Sequence, residues 1–176
     1  MAYFIVLLLL IFFLAYSGVF TDSTIVVSHW HHYFNKVQFS TELFYKSVEK
    51  ALHERQVIAT VKMIKRSEGN LFSANRIYLR IISGEDTFDL CAAPYGTGYF
   101  VSWWLVHRHG FLEKIVRKSV NVNAIMDSKT FYQMDAQIAF KTCVHNCIQE
   151  VLDDIMTTKG VRGLTELERE IKGKSW

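Results

Sequence analysis

The side chains best suited to chemistry lie in three places. Five histidines form two groups, His29, His31 and His32 early in the chain and His107 and His109 later. Imidazole nitrogens suit zinc or copper, and His29 and His31 on an extended chain share a side, so the two groups together make a candidate transition-metal site. No carboxylate or cysteine stands at ligand spacing beside them, and interfacial side chains that bind no metal are the simpler reading. The second place is the stretch from Cys91 to Gly98, where Gly96 and Gly98 flank Thr97 and allow backbone conformations that other residues resist. As a ligand loop it would carry Cys91 and Thr97 at its lip. It lacks the lysine of a phosphate-binding loop and the third glycine of a dinucleotide fingerprint, and a strand rather than a helix follows it, which favours a bulged or kinked connection.

The third place is the helical stretch holding Cys143, His145 and Cys147. At about 100° per residue, His145 points roughly 160 to 200° away from both cysteines, so the three cannot chelate one ion; the cysteines read as small buried hydrophobes. Glu150, Asp153 and Asp154 are close enough for paired-carboxylate chemistry, but they fall on the wet face of the same helix. Trp103 and Trp104 with Tyr99 and Phe100 could stack a ligand, although contact with a core or with lipid explains them more simply. No catalytic residue emerges, and the balance leans away from an enzyme.

The segment Phe88 to Trp104 resembles an uncharacterised family of bacterial hypothetical proteins that share an FD-CAAP-GTG-F-SW core. Phe44-Tyr45 with Val48-Glu49, and the stretch Thr130 to Val151, are similar to flanking parts of that pattern, so the likeness covers most of Phe39 to Gly163. The family has no assigned activity. The resemblance implies a bacterial source and carries no site residue over.

The elements that must position these groups begin with an apolar segment. Met1 to Thr21 has no charged side chain, and Phe4 to Leu14 is unbroken Phe, Ile, Val and Leu. At ~1.5 Å per residue, Ala2 to Phe20 is long enough to cross a bilayer as one helix. A cleaved signal would need a basic stretch ahead of the apolar run, and its lack favours a retained anchor over residues 1–21. Residues 22–39, rich in aromatic and histidine side chains, read as an interfacial collar, with Trp30, Tyr33 and Phe34 at the membrane surface and Trp103, Trp104 and Phe111 as further contacts.

Residues 40–176 then form one domain. Ser40 caps a helix over Thr41 to Arg55; Val57 to Lys65 reads as a strand; and Arg76 to Ile82, alternating Ile77, Leu79 and Ile81 with Arg76, Tyr78 and Arg80, is a strand with one wet face. The turn Ser83 to Asp86 leads into Thr87 to Ala93, and Tyr99 to Val106 is apolar on both sides apart from Ser102. Phe111 to Val120 is amphipathic at helical period and suits a membrane surface. A long helix runs from Phe131 to Thr158, and Thr165 with Glu168 boxes the start of a short one. The fold class is α+β: an N-terminal transmembrane helix, then an antiparallel sheet of three to four strands covered by helices, among them the long C-terminal one.

A net charge of +3, with 20 basic and 17 acidic residues, and no cationic run argue against nucleic acid. Three cysteines argue against a disulfide framework. Lysines and arginines first occur well after the apolar segment, which places the domain on the cytoplasmic side of a bacterial inner membrane. The expected function is a single-pass, membrane-anchored, non-catalytic binding or scaffolding protein, an accessory subunit held in the lipid bilayer by residues 2–20 and partnered by other membrane protein subunits. No cofactor is predicted. The alternatives are a membrane-tethered metal-binding protein or enzyme using Cys91, Thr97 and the histidines, and a lipid-handling domain.

Overall fold

In a computed structural model of the chain, residues 24–66, 76–108 and 130–173 are described. They form strand β1 (Thr24–Phe34), helix α1 (Thr41–Glu54), strands β2 (Thr60–Arg66), β3 (Arg76–Ser83), β4 (Asp86–Tyr95) and β5 (Gly98–Arg108), helix α2 (Phe131–Thr158), a four-residue helix α3 (Glu166–Arg169) and the two-residue strand β6 (Lys172–Gly173). One antiparallel sheet holds all the strands in the order β2-β3-β4-β5-β1-β6. Three consecutive hairpins build β2 to β5. The chain's first described strand then closes on β5, so β1 sits inside the sheet and not beside its sequence neighbour.

Local chemistry sets these elements. Both tight turns, Gly84-Glu85 and Gly96-Thr97, place a glycine at positive φ, 57° and 58°, where a side chain would be strained. Strand alternation sends Leu79, Ile81, Phe88, Leu90, Val101, Trp103, Leu105 and Trp30 to one face, where all are buried. That face is covered by α1 through Phe44, Tyr45, Val48 and Leu52, and by α2 through Phe140, Val144, Ile148 and Leu152. Ser40 Oγ caps α1 by accepting from Leu43 N–H, and Thr130 with Gln133 forms a capping box on α2. Both helices end alike: the residue after the C-cap turns left-handed and the one after that returns its N–H to the last turn. Gly160 holds that position after α2 and Gln56 after α1.

Tyr45 joins the helical layer to the sheet. Its hydroxyl accepts from Ala92 N–H at 2.9 Å and donates to the Ile77 carbonyl at 2.8 Å, a pair of groups that the β3–β4 register would otherwise set opposite each other. The phenol thus stands in for one rung of the ladder, and burial raises its pKa well above the ordinary tyrosine value.

The expected fold needs correction on two counts. The sheet has six strands and not three to four, because residues 22–39 are no interfacial collar: Thr24–Phe34 is β1, and its Trp30 and Phe34 are buried in the core. The proposed spanning helix, Ala2 to Phe20, and the amphipathic Phe111 to Val120 lie outside the described residues. Among the described residues no helix is long and apolar enough to cross a membrane, which leaves the single-pass membrane assignment without support.

Candidate functional site

The glycine-rich stretch is a hairpin tip and not a ligand loop. Cys91 lies in the middle of β4, between Tyr78 and Ser102 on the neighbouring strands, and is 2% exposed. Thr97 is exposed at the turn, six residues further on, so the two side chains are not brought together. Gly98 is required by close approach: a Cβ there would fall 2.5 Å from the Tyr33 ring and nearer still to the Phe34 carbonyl. Tyr33 also donates to the Tyr95 carbonyl at 3.1 Å, which pins the tip to β1. Burial pushes the Cys91 thiol up, against the opposing pull of Arg76 and Tyr78, so it is not an activated nucleophile.

The histidines divide between the two faces of the sheet. His29 and His31 share the face away from the helices, with ring centroids 6.1 Å apart, and His29 stacks on Trp104 at 5.0 Å. His32 lies on the other face beside Phe34, and its pKa is lowered, chiefly by burial. His107 stands at the end of β5, where Nδ1 is 2.8 Å from Asp86 and Nε2 is 3.4 Å from Glu85. His109 and Phe111 lie outside the described residues. Among the described residues no group of three or more His, Cys, Asp or Glu side chains is placed to hold a metal ion.

The face away from the helices is ordered in rows. The register sets His29, Trp104, Asp89, Arg80 and Lys62 side by side across five strands, and His31, Ser102, Cys91, Tyr78 and Ile64 in the next row. At the centre Arg80 grips Asp89 with two parallel bonds of 2.7 and 2.6 Å, each side chain 12% exposed. Alternation of Arg76, Tyr78 and Arg80 marks this face in the sequence, but the fork with Asp89 depends on a register that only the folded hairpin reveals.

No protein-family model, no curated protein and no solved structure matches this chain. Its function must therefore be argued from its own geometry.

On the helical side, His145 is 4% exposed and belongs to a clasp that holds the C-terminal segment. Trp103 Nε1–H donates to Nδ1 at 3.1 Å, and since indole can only donate, the neutral ring carries its proton on Nε2, which bonds the Arg169 carbonyl at 2.8 Å. Trp30 Nε1–H donates to the Glu168 carbonyl at 2.7 Å, and the Arg169 guanidinium reaches Asp153 at 2.7 Å and Gln149 at 3.2 Å. Cys143 and Cys147 point instead toward α1, where burial raises the Cys147 thiol to about 11. The helical-wheel separation of His145 from the two cysteines holds, and Trp103, expected at a membrane surface, is fully buried beside it.

A groove of about 510 Å³ runs along the solvent side of the α1–α2 pair. Arg55 is ion-paired with Glu150, while Ser40 shares the opposite end of the groove with Lys159, so the two helices run antiparallel. Phe39, Leu43, Ala51, Val151 and Ile155 supply its apolar lining; Lys50, Glu54, Glu150, Asp154 and Lys159 form the rim. Glu150 and Asp154, read from the sequence as a wet face, are one wall of this groove. Sequence periodicity on either helix alone gave no sign of it, because the groove exists only once the two helices pack. An apolar floor with a charged rim suits the binding of another chain and offers no reacting constellation.

Proposed function

We propose that this chain is a non-catalytic binding or scaffolding protein, an accessory subunit of a larger protein assembly. The observation that carries the reading is the α1–α2 groove, where Leu43 is 65% exposed on the wall of an apolar trough that the described residues leave uncovered. Support comes also from the chemistry of the polar groups elsewhere. Arg80 and Asp89 satisfy each other, His145 is spent on the C-terminal clasp, and the Cys91 and Cys147 thiols are held protonated by burial. The test is purification of the full chain under mild conditions with lysine cross-linking. A stoichiometric, identified partner cross-linked at Lys46, Lys50 or Lys159 is the expected result. Migration as a lone monomer in every mild condition overturns the reading.

A further inference from the structure

We infer that residues 164–173 are a strap that opens as one unit while the sheet stays folded, with His145 as the latch that acid releases. The strap carries its own structure. Thr165 and Glu168 close a capping box, Arg162 forks onto the Glu168 carboxylate at 3.1 and 3.2 Å, and Arg169 donates to the Leu164 carbonyl at 3.1 Å. Its grip on the rest of the molecule is thin. Leu164 reaches the core and Ile171 its margin, but α3 buries no residue and Leu167 is 76% exposed. At the outer edge of the sheet, β6 pairs with two of the eleven residues of β1, Ser28 and His29. A segment tied mostly to itself, with few apolar contacts outward, opens at lower cost than the sheet it covers.

What holds the strap is directed bonding. Two successive carbonyls, of Glu168 and Arg169, accept from Trp30, His145 and Gln149 at 2.7, 2.8 and 3.1 Å, and the Arg169 guanidinium returns to Gln149 and Asp153. Of the three donors only His145 takes up a proton in mild acid. A proton on its Nδ1 meets the Trp103 indole N–H, 3.1 Å away, and turns an accepted bond into two opposed donors. Burial opposes the charge most strongly, the Arg169 guanidinium and Lys141 add to that, and the Arg169 carbonyl favours it. From the sheet, β1 and β5 present the Trp30 and Trp103 rings to the imidazole. His32 on β1 acts the other way, since its Nε2 lies 3.9 Å from Glu168 and a charge there tightens the strap. Glu168, held at about 2 by Thr165 and Arg162, stays ionised in mild acid. Opening carries Arg169 away from the ring, admits water to it, and bares the Trp30 indole and the outer rung of β1.

Hydrogen exchange of the full chain at pH 8 and pH 5 tests the inference, read as protection factors so that the intrinsic pH dependence of exchange drops out. At pH 8 the strap amides are expected to be at least about a hundredfold less protected than those of β4 and β5, the mark of opening short of unfolding. At pH 5 their protection should fall at least about fivefold further, under a ceiling of about thirtyfold for a ring neutral when closed and titrating at ~6.5 when open. In His145→Gln the amide side chain can accept from Trp103 and donate to the Arg169 carbonyl without titrating, so the acid effect should vanish. Where that variant does not fold, a nitrogen NMR titration of the wild-type imidazole serves in its place, with a His145 midpoint below 6.5 expected. Strap amides as protected as those of β4 and β5, strap protection equal at the two pH values, an acid effect kept in full by His145→Gln, or a His145 midpoint at or above 6.5 would each overturn the inference.

Discussion

The two faces of the sheet are built from the same strands and solve opposite problems. The helix-covered face packs Phe88 against Trp103 at 4.4 Å and seals both under Phe140 and His145, so its cohesion is mainly apolar and non-directional, with a few buried hydrogen bonds such as Trp103 to His145 set within it. The other face is held by directed contacts, the Arg80–Asp89 fork and the shelf of His29, His31 and Trp104. Mutation should therefore be punished on one face by lost volume and on the other by lost partners.

The largest effect separates them. Trp103→Ala removes a fully buried ring and the donor to His145, and should cost about 3–5 kcal/mol in denaturant unfolding. Asp89→Asn keeps the volume but leaves Arg80 with one weakened acceptor in a setting where both side chains are 12% exposed. About 1–3 kcal/mol is expected, with part of the cost recovered by Arg80→Met on the same background. If Asp89→Asn costs as much as Trp103→Ala, the distinction between the faces fails.

A matched pair of substitutions sharpens the contrast. Cys147, wholly buried between α1 and α2, should lose about 1–3 kcal/mol as Cys147→Ser, because the hydroxyl enters a site enclosed by apolar side chains whose one hydrogen-bonding neighbour, the Cys143 sulfur, is a weak partner, with Arg55 and Glu150 at its margin. Cys91 is nearly as buried, at 2% exposure, but its sulfur already sits beside Tyr78 and Arg76, which can bond a hydroxyl. Cys91→Ser should change stability by less than about 1 kcal/mol. Equal losses at the two cysteines would show that the second face is as apolar in effect as the first.

How far the sequence foretold this arrangement depends on whether the signal was local. The caps Ser40 and Thr165, the span of α2, the turn at Gly84 and the alternation in β3 are short-range features, and all appear in the structure close to where they were read. The placement of Thr24–Phe34 was misread because its aromatic and histidine content fits a bilayer interface as well as a strand. Only the pairing of Trp30 with Trp103, and of His29 with Trp104, across β1 and β5 distinguishes the two. The α1–α2 groove and the Tyr45 rung were invisible for the same reason: each is made by groups far apart in sequence, and neither leaves a periodic trace.

The smallest expected effect tests a polar group embedded in the apolar layer. Burial lowers the pKa of His145 below its ordinary 6.5, and protonation would place an N–H at Nδ1 against the Trp103 indole N–H. A histidine with a depressed folded-state pKa binds its proton first in the unfolded chain. Its contribution is therefore intact above pH 6.5, shrinks as pH falls through that value, and stops changing once pH drops below the folded-state pKa. At pH 6 the loss from this one group is bounded at about 0.8 kcal/mol, the value for a ring that stays neutral when folded. His32 titrates in the same direction, so the clean measurement is the difference between wild type and His145→Gln, followed by thermal unfolding from pH 8 to pH 5. The variant should be less stable at pH 8 and close part of that gap on acidification. Hydrogen exchange of the α3 amides should show the wild-type clasp loosening over the same range, since the Arg169 carbonyl is held by that ring. Parallel curves for the two proteins would mean that the clasp tolerates a charged imidazole, and that the covered face is less strictly apolar than its packing implies.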